Sequence, residues 1–162
     1  EALSVNGTKY IAISRGNTPN VYEDDYEFHI GKAVTMREGT DVTIIAVGDM
    51  VAPALDAVEI LKENGINARM INMHTLKPLD NEAVIKAAKE TGAILTVETH
   101  NVLGGLGSAV SEVVCEECPI PMKKMGAPDQ FSKVGPMNEL IAHLGLDAEH
   151  IAAEAEKLIQ RK

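Results

Sequence analysis

From residue 42 onward the apolar positions alternate between two textures. Val42–Val47 (Val-Thr-Ile-Ile-Ala-Val), Ala68–Asn72 and Ile94–Glu98 (Ile-Leu-Thr-Val-Glu) are short apolar runs bounded by turn residues, as expected of strands buried on both faces. Between them the spacing lengthens to the helical period. It predicts one helix over Met50–Asn64 closed by Gly65, and a second that Asp80 caps, running to about Glu90 and ended by Gly92. A third helix is expected from about Gly107 to Glu117, after a glycine-rich loop. Met122–Met125 is read as a fourth strand, Asn138–Leu144 as a short helix, and the stretch from the acidic cap Asp147 to about Ile159 as a longer one. Strands and helices alternating at this spacing require crossover connections and a mostly parallel sheet with helices on both faces. The fold class is therefore α/β, doubly wound.

Upstream of residue 42 the pattern is different. Tyr10–Ser14 (Tyr-Ile-Ala-Ile-Ser) reads as a buried strand with nothing before it to pair against, which makes it the end of something larger. From Arg15 to His29 the periodicity collapses into Gly16, Asn17, Pro19, Asn20 and the acids Glu23, Asp24, Asp25 and Glu27, the texture of an interdomain linker. The 162 residues suffice for one compact domain with an attached arm.

Composition narrows the functional classes. Hydrophobic residues make up 45% of the chain and aromatics 3%, so the core is built from aliphatic side chains. A formal net charge of -9 argues against nucleic-acid backbones and anionic membranes, which demand a basic surface. No apolar run approaches the ~20 residues that cross a bilayer, and a cytoplasmic location is expected. Cys115 and Cys118 have the spacing of a redox pair or half a zinc site. They fall at the acidic tail of a predicted helix, however, where the dipole does not favour a thiolate, and are read as unreactive.

Several residues are candidates for chemistry. The loop Gly104-Gly105-Leu106-Gly107-Ser108 follows a strand and opens a helix, where backbone amides can hold a phosphate, although it equally suits a tight turn between closely packed elements. Asp49, His74, Glu98, His100 and Asp129 fall at the carboxyl ends of predicted strands, the edge where open parallel sheets place ligands. Glu98 with His100 is a possible acid/base pair, set against loop-fixing hydrogen bonds or an interface with a neighbouring domain. Arg15 stands at the end of the Tyr10–Ser14 segment, where a guanidinium fork can bind phosphate or carboxylate, or simply face solvent. The chain contains no Walker loop, Gly-x-Ser-x-Gly elbow or His-Glu-x-x-His helix.

Taken in order, Tyr10-Ile-Ala-Ile-Ser-Arg15, Thr18-Pro-Asn-Val-Tyr22 and Phe28-His-Ile-Gly-Lys-Ala33 resemble the junction between the pyrimidine-binding and carboxy-terminal domains of transketolases. So do Asp41-Val-Thr-Ile-Ile-Ala46, Thr75-Leu-Lys-Pro-Leu-Asp80 and Thr96-Val-Glu-Thr-His100 leading into Gly104-Gly-Leu-Gly107. Each motif is weak, but their order is specific and the resemblance covers nearly the whole chain. It implies that residues 1–31 are the end of the pyrimidine-binding domain with its linker, and 32–162 the transketolase C-terminal domain. It also implies that Arg15 contacts the phosphate of a sugar substrate.

The parent enzyme implied is a homodimeric transketolase of the pentose phosphate pathway that moves a two-carbon ketol unit between sugar phosphates with thiamine diphosphate and Mg2+. Both are expected outside this chain, because the Gly-Asp-Gly start and Asn pair that usually hold them are absent; Gly48-Asp49-Met50 is the nearest approach. The chain is thus expected to be inactive alone and to support the dimer. Its partners are the remaining transketolase domains, on the same polypeptide or a separate subunit. Gly16 after Arg15 is a feature of 1-deoxyxylulose 5-phosphate synthases, whereas Ser14 and the Thr-Val-Glu-Thr-His-Asn stretch favour transketolase. Those synthases, the beta subunits of 2-oxo acid dehydrogenases and a stand-alone nucleotide-binding regulatory module are the alternatives.

Overall fold

Val34–Arg37 (β1), Val42–Ala46 (β2), Ala68–Asn72 (β3), Ile94–Asn101 (β4) and Met122–Ala127 (β5) form one five-stranded sheet in the order β1-β3-β2-β4-β5. The computed structural model describes residues 1–14, 16–22 and 26–162. β2 to β5 run parallel, and β1 lies antiparallel along β3. The helices are α1 (Val51–Glu63), α2 (Asn81–Thr91), α3 (Leu106–Glu117), α4 (Met137–His143) and α5 (Ala148–Ile159).

Every residue of β2 and β3 is buried, which explains their continuous apolar runs. Because successive strand residues point to opposite faces, Ile44, Met70 and Leu95 pack on α1 and α5, while Ile45, Ile71 and Ile94 pack on α2 and α3. Each such aliphatic side chain contributes roughly 1.5–3 kcal/mol by leaving water. Two helices start on acidic caps anticipated from the sequence. Asp80 accepts from Ala83 N at 3.2 Å, and Asp147 accepts from His150 N at 3.0 Å.

Three elements differ from expectation. β1 was not anticipated: its four residues alternate between half-buried and exposed, and a short edge strand with one covered face leaves little trace in composition. β4 and β5 run three and two residues past their expected ends, since pairing between Asn101 and Ala127 prolongs the ladder beyond the apolar core. Tyr10–Ser14, expected as a strand, is not one. Among the described residues no strand lies alongside it, and Tyr10, Ile11 and Ile13 are 92%, 66% and 84% exposed. An apolar segment without a neighbouring ladder has neither hydrogen bonds nor a covered face to hold it in a sheet.

Cys115 lies in the last turn of α3 and Cys118 at its C-cap, both as free thiols. Among the described residues no helix is long and apolar enough to cross a membrane.

Gly39, in the connection from β1 to β2, is buried against the start of β3. A Cβ added there would come within 2.2 Å of the carbonyl carbon of Ala68. Gly39→Ala is expected to destabilise the domain by about 1–3 kcal/mol through forced backbone displacement, read as a lower urea midpoint. Amide exchange is expected to be fast in residues 1–14 and slow in residues 42–47, a difference that hydrogen-exchange mass spectrometry resolves directly.

Candidate functional site at the carboxyl edge of the sheet

A doubly wound sheet offers a ligand crevice where its strand order reverses. Here β2 lies between β3 and β4, and the chain leaves β2 through a short 3-10 turn, Gly48–Met50, and leaves β4 through the glycine-rich loop into α3. Glu98 on β4 is 1% exposed and fills that crevice. Its two carboxylate oxygens accept the backbone N–H groups of Leu106 at 2.8 Å and Gly107 at 2.7 Å. These charge-assisted bonds satisfy donors of the first turn of α3 and place a negative charge at the positive end of its dipole. A phosphate would seek the same two donors, so the anion-binding position is occupied by the chain's own side chain.

The glycines follow from this. A Cβ on Gly105 would sit 1.9 Å from Glu98 Oε2, and one on Gly107 would sit 2.8 Å from Thr96 Oγ1. The loop is therefore a close-packing device around a buried carboxylate. Its sequence signal was present, as an acid at the last buried position of a strand, eight residues before a helix start.

Among the other candidates, His100 is exposed and lies with Glu98 beside Gly105, but both Glu98 oxygens are committed to α3, so an acid/base pair does not form. Asn101 donates to Asp129 Oδ1 at 3.0 Å and accepts from Leu103 N at 2.8 Å, fixing two loops to each other. Asp49 and His74 border a separate cleft of about 430 Å³ between the arm and the ends of β2 and β3. Burial pushes the His74 pKa below its ordinary value, with the Lys32 main chain and the Glu1 carboxylate only partly opposing, and its Nδ1 pairs with Thr75 Oγ1 at 2.9 Å. Arg15, the candidate phosphate ligand, lies outside the described residues.

Asn72, which lines this cleft, begins a set of contacts that residue-by-residue reading missed. Asn72, 6% exposed at the end of β3, donates from Nδ2 to the Tyr22 hydroxyl at 2.5 Å. Tyr22 stacks on Tyr26 with ring centroids 4.0 Å apart, and Phe28 packs on His74 at 4.3 Å. Burial, and then the neighbouring Tyr22, push the Tyr26 phenol up to about 12. Asp80 accepts from Ala33 N at 2.9 Å and faces Lys32 Nζ at 4.0 Å. The usable signal was compositional: of the three Tyr and two Phe in the chain, Tyr22, Tyr26 and Phe28 fall in the linker.

Among the described residues no group of three or more His, Cys, Asp or Glu could hold a metal ion. With the α3 terminus also taken by Glu98, these residues do not fit a magnesium-bound diphosphate.

The family model described as the transketolase C-terminal domain matches residues 31–151. The chain belongs to that family. A 6-deoxy-6-sulfo-D-fructose transketolase subunit, SqwH, from Clostridium sp. (strain MSTE9) is 43% identical over 162 residues, all of this chain and 50% of that protein. A 1-deoxy-D-xylulose-5-phosphate synthase from Geobacter sulfurreducens is 44% identical over 138 residues, 84% of this chain and 22% of that one. Among solved structures, a split-gene transketolase described as an inactive beta4 tetramer superposes with a TM-score of 0.88 at 43% identity, over 91% of this chain and 48% of that chain. The transketolase C-terminal domain chain thus spans about half the length of the split subunits it matches and a smaller share of the synthase.

Glu98→Ala in this transketolase C-terminal domain is expected to cost about 2–3 kcal/mol in urea unfolding, because two buried N–H groups lose a charged acceptor. Calorimetric titration of the wild-type chain with nucleoside phosphates is expected to give no saturable heat; saturable binding that a Ser108 or Gly104 variant abolishes would reinstate the loop as a ligand site.

Proposed function

We propose that this chain is the carboxy-terminal portion of a split or full-length transketolase-like enzyme that transfers a two-carbon ketol unit between sugar phosphates. Thiamine diphosphate and Mg2+ are then bound by the remaining portion of the enzyme, and this chain supports the assembly. Glu98 carries the reading. Its carboxylate accepts the N–H groups of Leu106 and Gly107 at the start of α3, which supports a reading in which this chain buttresses the assembly and the cofactor is held elsewhere. Similarity along all 162 residues to half of a transketolase subunit supports the same view. When bound, the cofactor supplies the covalent chemistry.

In this reading Arg15 is the group that this chain contributes to the substrate. A guanidinium presents parallel N–H donors that match a phosphate, and a charge-assisted contact of this kind is worth about 1.5–3 kcal/mol. The 44% identity to a 1-deoxy-D-xylulose-5-phosphate synthase supports a second reading, in which the assembled enzyme is a synthase of that kind.

Arg15→Ala in the assembled enzyme is expected to raise KM for phosphorylated sugars about tenfold or more and to leave unphosphorylated acceptors nearly unchanged. Equal losses for both acceptor types would remove Arg15 from the phosphate site. Formation of 1-deoxy-D-xylulose 5-phosphate, with no ketol transfer from a ketose phosphate, would move the enzyme to the synthase class. The chain by itself is expected to show neither activity.

A further inference from the structure

The linker is attached to the domain by side chains whose burial needs an explanation. Asn72 ends a strand that is otherwise buried among aliphatic residues, and an amide there loses its water. Among the described residues its Oδ1 has no partner, and its Nδ2 makes one bond, to the Tyr22 hydroxyl. An apolar residue would serve packing better. What the amide adds is a fixed address for one atom of the linker.

Three further contacts act on the same stretch of chain. Tyr22 is backed by the Tyr26 ring, Phe28 lies on His74, and the main chain at Ala33 is held by Asp80. Ser14, Gly16, Thr18 and Val21 line the cleft opposite Asp49, Asn72 and His74. Residues 16–22 thus run across the carboxyl ends of β2 and β3 and are anchored at their far end by a part-buried hydrogen bond.

We propose that Asn72 and Tyr22 are a positioning pair: by holding residues 16–22 on the sheet edge, they set how tightly the assembled enzyme binds the phosphate of its sugar substrate. The proposal rests on the reading of Arg15 as the phosphate ligand. Neither Asn72 nor Tyr22 is a catalytic residue, and both act through the segment that follows Arg15. A loosely tethered guanidinium loses more conformational freedom on binding a phosphate than one presented by an ordered segment, so the effect belongs in affinity for phosphorylated substrates.

The test compares Tyr22→Phe, Asn72→Leu, their double variant and Arg15→Ala in the complete enzyme, with phosphorylated and unphosphorylated acceptors. Tyr22→Phe keeps the ring and removes only the hydroxyl. It is expected to raise KM for phosphorylated sugars roughly three- to tenfold, the range that one hydrogen bond supports, with kcat and the unphosphorylated acceptors nearly unchanged. The double variant is expected to be no worse than the poorer single one, because both remove the same bond. Amide exchange in residues 16–22 should accelerate, while residues 42–47 stay protected.

An unchanged KM for phosphorylated sugars in Tyr22→Phe, beside a raised one in Arg15→Ala, overturns the positioning pair and leaves Arg15 in place. No phosphate-selective effect in Arg15→Ala removes the Arg15 reading and the proposal with it. A loss in Tyr22→Phe that is equal for both acceptor types, or unaltered exchange in residues 16–22, also overturns it and leaves the pair a purely structural contact.

Discussion

β2 and β3 are buried at every residue, and most of the architecture follows from that constraint. A strand covered on both faces must pass its backbone polar groups to neighbouring strands and its side chains to two separate helical layers. Ile44 and Ile45, adjacent in sequence, therefore belong to different cores, one closed by α1 and α5 and the other by α2 and α3. Some polar residues in this interior have a partner within reach, although Thr96 Oγ1 has none among the described residues. Thr43 and Thr91 share a hydroxyl contact at 2.9 Å, and Arg69, 7% exposed, meets Glu90 at 2.6 Å and Glu38 at 3.3 Å.

The same economy governs the carboxyl edge, where the strands run out of neighbours and leave helix termini facing inward. Glu98 resolves the most exacting of these by neutralising two orphan donors of α3 from below. That arrangement stabilises the domain by giving two first-turn donors of α3 a charged acceptor from within the chain. A fold that elsewhere binds dinucleotides is here closed by one carboxylate, and the glycines beside it are the steric consequence. The surface of that edge is also where the segment preceding β1 lies.

The linker belongs to that surface. It is poor in regular structure, yet Tyr22, Tyr26, Phe28 and Ala33 each make a specific contact with the domain. Those contacts join a transketolase C-terminal domain to residues that resemble the end of a preceding domain.

The sequence by itself determined the alternation of elements, because burial on two faces and helical periodicity are both written in the order of apolar residues. It placed β3 to the residue and named Asp80 and Asp147 as caps, since a short acidic side chain ahead of a periodic segment has one good local use. Local pattern could not decide where β4 and β5 end, or that Val34–Arg37 joins the sheet, because strand limits are set by the partner across the ladder. Nor could it show what lies at the start of α3: a glycine-rich loop suits phosphate or carboxylate, and the approach of Glu98 to Leu106 N and Gly107 N is set by tertiary packing. Asn72 was equally silent, for an amide at the end of a strand gains its meaning from Tyr22, fifty residues earlier in the chain. Pairings between distant residues are decided by tertiary packing, and the features of this domain that bear on function are of that kind.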